Sequence, residues 1–377
     1  MILQRKLLGD GIVFKFTDLK QIHLEVSNNC QASCPMCSRN ISGGLENPLI
    51  KVQNWSLDDF KNIMNQEVFD QIDGFYFCGN FGDPILNNDL IDMCRYAKDM
   101  AHPEINVSIH TNGGAKSTTW WKELAHALPK NHKVIFALDG LADTHSLYRI
   151  GTDFNNVIRN ATAFIQEGGI AEWAFIKFKH NEHQVDDVRA LSKKLKFQYF
   201  TVKNSSRFVG EAKTKVLDKS GNVTHYLEPS SDTTIKFIDR KIIDSFKDSI
   251  AHAKIDCKVL NNKEVYIDAY KQLFPCCHTA SVPYMREQTN FHEWGDTVHS
   301  IVQTMLSQHH DMIKNLGNMD STTRSIKEII NSPEYQSVWQ EYWTTKKLFM
   351  CVRTCGNGPG IDFSKPKDQF IETTNIY

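Results

Sequence analysis

In the stretch Asn28-Asn29-Cys30-Gln31-Ala32-Ser33-Cys34-Pro35-Met36-Cys37, three cysteines stand within eight residues of one another. The C-x3-C-x2-C spacing brings three thiolates onto one short loop, and thiolates select zinc, copper(I) or iron–sulfur clusters. A cluster of four irons usually takes four cysteine ligands, so three local cysteines leave one iron without a protein ligand. An open coordination position distinguishes catalytic metal sites from structural ones, as zinc sites illustrate. The spacing therefore favours a catalytic iron–sulfur centre.

A structural zinc site is the alternative for these three cysteines, with a fourth ligand elsewhere in the chain. Zinc knuckles and ribbons usually pair two C-x2-C-like units, and C-x3-C is an unusual opening for one. The chain has ten cysteines in 377 residues, so chance clustering is a further alternative. Of the three interpretations, the spacing favours the cluster.

The composition is that of an ordinary globular protein, with 41% hydrophobic and 23% charged residues. The 43 basic and 44 acidic side chains nearly balance, so no bulk attraction to nucleic acid or to an anionic membrane is expected. No apolar run reaches the roughly 18 residues of a membrane span, and the N-terminus lacks the apolar segment of a signal peptide. We therefore expect a cytoplasmic protein whose cysteines serve metal or redox chemistry rather than disulfides.

Strand and helix patterns alternate through the first 200 residues. The predicted strands are 22–26, 74–78, 106–110, 133–138, 173–178 and 199–203, and the predicted helices are 56–69, 87–98, 117–127, 154–166 and 185–195. Such alternation indicates right-handed βαβ units and a parallel sheet. Six strands are too few for a closed eight-unit barrel. We predict an α/β fold, a partial (β/α)6 TIM-like barrel with its site at the carboxyl ends of the strands, followed by a small C-terminal α+β cluster-binding module.

Four short motifs stand between predicted strands and the helices that follow them. They are Gly82-Asp83-Pro84, Thr111-Asn112-Gly113, Leu138-Asp139-Gly140 and Tyr148-Arg149-Ile150-Gly151. Each alone could be the turn between a strand and a helix. In this order, and together with the three-cysteine loop, they resemble the signature of the radical S-adenosylmethionine (radical SAM) enzymes over residues 18–210. Asp83 replaces the glutamate of that family's Gly-Gly-Glu-Pro motif, and Ala137 replaces the serine of its Ser-x-Asp-Gly motif.

The resemblance implies a [4Fe–4S] cluster on Cys30, Cys34 and Cys37, whose open iron chelates the amino and carboxylate groups of S-adenosylmethionine (AdoMet). It implies reductive cleavage of AdoMet to a 5′-deoxyadenosyl radical, which abstracts hydrogen from a substrate. It further implies an external electron donor such as flavodoxin or ferredoxin. The AdoMet-binding residues that the resemblance implies are Gly82, Asp83, Asn112, Asp139, Arg149, Lys177 and Asn181.

A second set of cysteines lies in the last third of the chain. Its members are Cys257, Cys276, Cys277, Cys351 and Cys355. A predicted strand, turn and strand over residues 264–275 ends in Pro-Cys, which resembles the SPASM and twitch modules of radical SAM enzymes. Residues 291–296 stand where those modules have a glycine-containing turn, and a helical pattern leads from Ser325 toward Trp343.

Full SPASM modules carry about seven cysteines, so the resemblance implies a reduced, twitch-like module with one auxiliary [4Fe–4S] cluster. The implied ligands are Cys257, Cys276, Cys351 and Cys355. Neighbouring side chains of an extended segment point to opposite faces, so Cys276 and Cys277 are alternatives. We favour Cys276 because it follows Pro275 directly. A four-cysteine zinc site, or one that includes His278, is the rival interpretation.

The predicted organisation has five parts. They are an N-terminal extension (1–17), a radical SAM core (18–210), a linker and helix (211–255), an auxiliary cluster module (256–360) and a tail (361–377). Only about 17 residues precede the first strand, so we expect no N-terminal peptide-recognition domain. The substrate is predicted to be a peptide, a protein or a small molecule.

The favoured function is a radical SAM oxidoreductase or modifying enzyme that uses an auxiliary cluster. The alternative is a metal-binding protein without AdoMet chemistry, either an iron–sulfur electron carrier or a zinc-stabilised binding module. No catalytic residue is assigned, although Lys177, His180 and His183 could supply acid–base function. Cys78 and Cys94 are expected to be small buried hydrophobes. Six aromatic residues could line a cavity, although most are expected in the core: Trp120, Trp121, Trp173, Trp339, Tyr342 and Trp343.

Overall fold

The computed structural model of the chain describes residues 14–205, 207–208, 213–233, 252–284, 296–345, 347–357 and 370–376. The strands of this part are β1 (Gln21–Leu24), β2 (Asn40–Ile41), β3 (Leu45–Glu46), β4 (Gly74–Phe77), β5 (Asn106–Thr111), β6 (His132–Ala137), β7 (Ala171–Lys177), β8 (Tyr199–Asn204), β9 (Thr214–Leu217), β10 (Val223–Leu227), β11 (Lys254–Ile255), β12 (Glu264–Ile267), β13 (Leu273–Phe274), β14 (Gly356–Asn357) and β15 (Phe370–Asn375).

Within the described residues, one sheet contains nine strands in the order β13-β12-β1-β4-β5-β6-β7-β8-β15. The six strands β1, β4, β5, β6, β7 and β8 run parallel in chain order. They correspond to the six predicted strands, so the predicted α/β fold with a partial TIM-like barrel is confirmed. Because the strands are parallel, their carboxyl ends and the loops that follow them lie along the same edge.

Helices connect the parallel strands. The α-helices of the described residues are Leu57–Ile63, Gln66–Gln71, Leu90–Met100, Thr118–Ala127, His145–Tyr148, Phe154–Gln166, Val185–Lys194, Lys258–Asn262, Cys277–Ser281, Asp296–Leu316, Ile326–Ile330, Pro333–Gln340 and Phe349–Cys355. Leu90–Met100 packs on Thr118–Ala127, which in turn packs on Phe154–Gln166. In this part of the chain, no helix combines the length and the apolar character needed to cross a membrane.

The helix predicted over 56–69 is two helices in the structure. Ser56 caps the first by accepting a hydrogen bond from the Asp59 N–H, and Asn65 caps the second by accepting one from the Val68 N–H. An asparagine side chain inside a helical pattern can accept hydrogen bonds from nearby backbone N–H groups. It can therefore end one helix and cap the start of the next. The long helix Asp296–Leu316 was not predicted from the sequence.

The predicted strand–turn–strand of the C-terminal module is present as β12 and β13, which pair antiparallel. β12 also pairs in parallel with β1, so this part of the chain extends the main sheet. The helical pattern from Ser325 toward Trp343 is present as Ile326–Ile330, Pro333–Gln340 and a π-helical turn, Glu341–Thr345. The division of the chain into domains stays a prediction.

Two segments differ from the sequence-based expectation. The region expected to be linker contains the antiparallel hairpin β9–β10, whose buried Val216 and Leu227 pack in one apolar cluster with Ala32 and Tyr148. The region expected to be a tail contains β15, which pairs antiparallel with the edge strand β8. Most of the helix predicted near 235–252, and residues 291–295 of the predicted turn, lie outside the described residues.

The six aromatic residues that could have lined a cavity belong to the core, as was expected for most of them. Trp120 is half-buried and packs against this core. The other five are buried: Trp121, Trp173, Trp339, Tyr342 and Trp343. Cys94 is also buried there, as expected for a small hydrophobe.

Candidate active site

A cavity of about 340 Å³ opens at the carboxyl ends of the parallel strands. Cys30, Cys34 and Cys37 line it from the loop that follows β1. Side chains that follow β4 and β5, among them Asp83 and Asn112, line it as well. Residues that are far apart in the sequence therefore share one cavity, at the edge where the fold places the site.

Backbone hydrogen bonds hold the three-cysteine loop. The Cys37 N–H donates to the Cys34 carbonyl at 3.0 Å, and the Ser33 N–H donates to the Ile150 carbonyl at 2.8 Å. Cys34 is buried, and Cys30 and Cys37 are half-buried. Burial raises the pKa of the Cys34 and Cys30 thiols, and the positive charge of Arg149 acts against that rise at Cys34. The thiols consequently have restricted access to solvent and face a common space.

The loop after β4 passes very close to the segment that leads into the cysteines. A Cβ atom on Gly82 would lie 2.0 Å from the Ser27 carbonyl oxygen, and one on Gly79 would lie 2.2 Å from the Gly82 carbonyl oxygen. Only glycine fits at both positions. The Asp83 N–H donates to the Asn29 carbonyl at 2.8 Å, which fixes the loop beside the cysteine segment.

Asp83 is buried, and protein groups donate to both of its carboxylate oxygens. Oδ2 accepts from the Asn112 N–H at 2.7 Å and from the Thr111 hydroxyl at 3.0 Å, and Oδ1 accepts from the Ile85 N–H at 3.2 Å. Burial raises the pKa of Asp83 to about 6, and these donors act against the rise. The side chain both lines the cavity and joins the ends of β4 and β5.

Asn112 connects the strand end to the cysteine loop. Its Oδ1 accepts from Gln31 Nε2 at 2.6 Å, and its Nδ2 donates to Cys30 Sγ at 3.6 Å. Its backbone is held by Asp83. An amide that donates to sulfur stabilises the thiolate form, which is the form that binds metal.

Arg149 provides a second contact between a strand end and a cysteine. Its Nε donates to Asp139 Oδ2 at 2.5 Å, and one terminal nitrogen lies 3.9 Å from Cys34 Sγ. Asp139 is fully buried and does not line the cavity, and its other oxygen accepts from the Ile176 N–H at 2.6 Å. The buried ion pair therefore holds Arg149 at the cavity wall.

Lys177 and Asn181, two of the predicted AdoMet contacts, do not line this cavity. Lys177 forms an ion pair with Asp232. Asn181 is fully buried, where Nδ2 donates to the Asp139 and Ile176 carbonyls and Oδ1 accepts from the Phe178 N–H. Its contacts support the strand ends instead. His180 and His183 are also outside the cavity, and His180 stacks on Phe178.

Several cavity residues were not predicted from the sequence. His110 belongs to β5, and Lys203 is the residue before the last of β8. Arg207 follows β8, and one of its terminal nitrogens donates to the Met36 carbonyl at 2.5 Å. Burial lowers the pKa of Lys203, and it lowers that of His110 to about 3. Cys78, expected to be inert, also lines the cavity. Position at a strand end was the only available signal for Lys203.

The second cysteine set comes together where β11 pairs with β14. The Lys254–Asn357 and Ile255–Gly356 pairs bring Cys257 beside Cys355, and the Cys257 thiol donates to Cys355. That hydrogen bond raises the pKa of Cys257 and lowers the pKa of Cys355. The charges of Cys276 and Cys351 also raise the pKa of Cys257. All four predicted ligands are therefore electrostatic neighbours.

Cys276 and Cys277 have different surroundings. The charge of Cys355 acts on Cys276, whose Sγ also lies 3.6 Å from Thr279 Oγ1. Besides Cys276, the groups that act on Cys277 are Glu264 of β12, Cys78, which directly follows β4, and Glu25, which directly follows β1. The choice between Cys276 and Cys277 as the ligand stays a prediction.

Among the described residues, no three or more His, Cys, Asp or Glu side chains are grouped so as to hold a metal ion. A single zinc ion binds thiolate sulfur at about 2.3 Å, which places its ligands within ~4 Å of one another. In an iron–sulfur cubane each cysteine binds a different iron, so the cysteines stand farther apart. The donor sets in both places consist of thiols, which suits a cluster.

No family model and no curated relative matches the sequence. Solved structures do match, among them native anSMEcpe with bound AdoMet (TM-score 0.51, 14% identity, 93% of this chain and 92% of that chain). The chain therefore shares the α/β fold of this AdoMet-bound protein. Streptococcus suis SuiB bound to its precursor peptide SuiA has a TM-score of 0.48 at 15% identity, over 72% of this chain and 62% of that chain. BtrN in complex with AdoMet and 2-DOIA has a TM-score of 0.41 at 13% identity, over 94% of this chain and 98% of that chain.

The similarity to anSMEcpe, at 14% identity, is a similarity of fold. The chain spans about 62% of the length of SuiB.

Proposed function

We propose that this chain is a radical SAM enzyme, with a [4Fe–4S] cluster on Cys30, Cys34 and Cys37. The observation that carries the proposal is the shared cavity, which these cysteines line together with the strand-end residues Asp83 and Arg149. When bound, the cluster and AdoMet supply a 5′-deoxyadenosyl radical that abstracts hydrogen from a substrate. The volume of about 340 Å³ lies within the range of small-molecule sites.

The chain's own residues prepare the thiolates for metal. Asn112 Nδ2 donates to Cys30, and the Arg149 guanidinium lies beside Cys34. Donors and positive charge near sulfur stabilise the thiolate and tune the potential of a bound cluster. The buried Asp139 holds Arg149 in that position, and Asp83 holds the backbone of Asn112. Gly82, Asp83, Asn112 and Arg149 remain the proposed AdoMet contacts.

We also propose an auxiliary [4Fe–4S] cluster on Cys257, Cys276, Cys351 and Cys355. The support is their mutual proximity and the hydrogen bond from Cys257 to Cys355. Such a cluster would accept an electron from the substrate or bind it directly. The rest of the proposal is an oxidation or modification of a peptide, a protein or a small molecule, with flavodoxin or ferredoxin as electron donor, in the cytoplasm.

The proposal is tested by AdoMet cleavage in anaerobically reconstituted, chemically reduced protein. Wild type should release 5′-deoxyadenosine, and Cys34→Ala should release none and lose about four irons. The matched control is Cys94→Ala, which removes an equally buried thiol from the core, away from the cavity. It should keep both the iron and the cleavage. An intact cluster without deoxyadenosine would favour an electron carrier, and bound zinc would favour a structural metal site.

A further inference from the structure

A buried carboxylate beneath the loop after β4 is not explained by the proposed AdoMet contacts. Glu25 directly follows β1 and is only 2% exposed. Its Oε1 accepts from the Phe81 N–H at 2.7 Å and from the Gly82 N–H at 3.2 Å, and the Asn80 N–H donates to the same carboxylate. Three successive backbone N–H groups therefore converge on one side chain, the arrangement of an anion-binding nest.

These hydrogen bonds determine which way the peptide groups of the loop point. No peptide bond among the described residues is cis, and in a trans peptide the N–H and C=O groups point in opposite directions. With the N–H groups of Phe81 and Gly82 directed at Glu25, the carbonyls of Asn80 and Phe81 are directed away from it. Asn80 and Phe81 line the cavity. A backbone carbonyl of a residue that lines the cavity can accept a hydrogen bond from an ammonium group.

Two contacts tie the same loop to the C-terminal part of the chain. The Tyr266 hydroxyl, in β12, donates to Glu25 Oε2 at 2.5 Å. Asn80 Nδ2 donates to the Cys277 carbonyl at 2.9 Å, next to the proposed cluster ligand Cys276. Glu25 itself continues the pairing of β1 with β12, because its N–H donates to the Ile267 carbonyl at 2.9 Å. The loop is thus held between β1 and the segment that carries Cys276.

We propose that Glu25 is a positioning residue, which orients the loop after β4 so that the carbonyls of Asn80 and Phe81 can accept hydrogen bonds from AdoMet. Because Tyr266 holds the Glu25 carboxylate, this orientation also depends on the position of β12. The inference rests on the proposed function for the identity of the ligand. Glu25 would not touch AdoMet, since its oxygens are directed to the loop N–H groups and to Tyr266. Its effect would pass through the backbone of the loop.

The test combines two measurements on anaerobically reconstituted protein: the Kd of AdoMet by equilibrium dialysis, and hydrogen exchange of the Phe81 and Gly82 amides without AdoMet. Glu25→Ala should raise the Kd at least tenfold and speed the exchange at least tenfold. Glu25→Gln retains an oxygen that can accept from the same N–H groups, so it should stay within about threefold of wild type. Tyr266→Phe should lie between these two variants.

The matched control is Glu264→Ala. Glu264 is a buried carboxylate on β12 that accepts from the Tyr76 hydroxyl at 2.8 Å, and the described contacts do not connect it to the loop. It should leave the exchange of the loop amides at the wild-type rate.

Wild-type Kd and exchange in Glu25→Ala would overturn the inference, and so would faster exchange with an unchanged Kd. If Glu25→Ala does not fold, wild-type values in Tyr266→Phe overturn it. A wild-type protein that binds no AdoMet contradicts the proposed function instead. The exchange of Phe81 and Gly82 then still decides whether Glu25 positions the loop.

Discussion

Arg149 and Asp139 form a buried ion pair in which Nε lies 2.5 Å from Oδ2. The Asp139 side chain is fully buried, and burial raises its pKa while the charge of Arg149 acts against that rise. The pair spans from the end of β6 to the cavity wall, where Arg149 lies beside Cys34. The same ion pair should therefore stabilise the barrel and hold the Arg149 guanidinium beside the proposed cluster.

We expect Arg149→Met to lower the free energy of unfolding by about 3–5 kcal/mol, because it leaves the charge of Asp139 buried without a partner. The double variant Arg149→Met/Asp139→Asn should recover part of the loss, since the uncompensated charge is gone. Urea unfolding followed by circular dichroism measures both.

Lys20→Met is the control for that experiment, because it breaks an exposed pair with Asp73 and should cost less than about 1 kcal/mol. Equal losses for Arg149→Met and Lys20→Met would contradict the importance of the buried pair.

Asp83→Ala is expected to weaken AdoMet binding about tenfold without removing iron. The substitution removes the acceptor for the Asn112 N–H and the Thr111 hydroxyl, so the strand end that carries Asn112 is no longer fixed. The same loss should cost roughly 1–3 kcal/mol of stability, because buried donors are left unsatisfied. Equilibrium dialysis with AdoMet and an iron assay test this. An unchanged AdoMet affinity would mean that Asp83 serves only the turn.

Iron content distinguishes Cys276 from Cys277 as the auxiliary ligand. Wild type should bind about eight irons, four for each cluster, and the triple Cys30/Cys34/Cys37→Ala variant about four. Cys276→Ala should fall to about four irons, since Cys276 shares the surroundings of Cys355, while Cys277→Ala should keep about eight. The reverse order would assign the ligand to Cys277. Zinc in place of iron in the triple variant would make the C-terminal cysteines structural.

Asp268 should make stability depend on pH. Burial raises its pKa to about 7 from 3.8, so between these values the folded protein binds more protons than the unfolded chain. Stability attributable to this group is present at low pH and is lost as the pH rises toward 7. Asp268→Asn keeps an acceptor for the Gln272 N–H and removes the charge. It should therefore raise the thermal midpoint more at about pH 8 than at about pH 5.5.

Asp186→Asn changes a carboxylate that is 92% exposed and is the matched control for Asp268→Asn. In this variant, the difference in thermal midpoint between about pH 8 and about pH 5.5 should be the same as in wild type. An Asp268→Asn effect of the same size at both pH values would show that the charge of this group is not the cause.

Local patterns were sufficient to predict the parallel strands and most helices of the core. The continuous apolar run Gly74–Phe77 and the alternating segment Asn106–Thr111 each indicate a strand, and the three-cysteine spacing indicates the metal site in the same way. Asp83 and Asn112 could be placed at one edge because parallel strands end there. The pairing of β12 with β1 could not be predicted, since it joins residues about 240 apart by backbone hydrogen bonds that leave no sequence pattern.

The roles of single polar side chains were harder to predict. Asn181 lies near the end of β7, as predicted, but its side-chain amide donates to the Asp139 and Ile176 carbonyls. Lys177 is the last residue of β7. Its side chain forms an ion pair with Asp232, which lies in a segment whose position the sequence did not indicate. Glu25 was overlooked because a charged residue next to a strand usually faces solvent, and only the structure reveals the N–H groups that compensate its burial.

AdoMet is proposed to bind at the open iron of a cluster on the Cys30–Cys37 loop. Electron paramagnetic resonance of the reduced Cys276→Ala variant tests it most directly, because this variant should retain only the loop cluster. Adding AdoMet should shift the g values of the reduced cluster, since one iron gains new ligands. The signal of the reduced Cys34→Ala variant should not respond to AdoMet. A loop cluster whose spectrum is unchanged at saturating AdoMet would show that AdoMet does not bind at this iron.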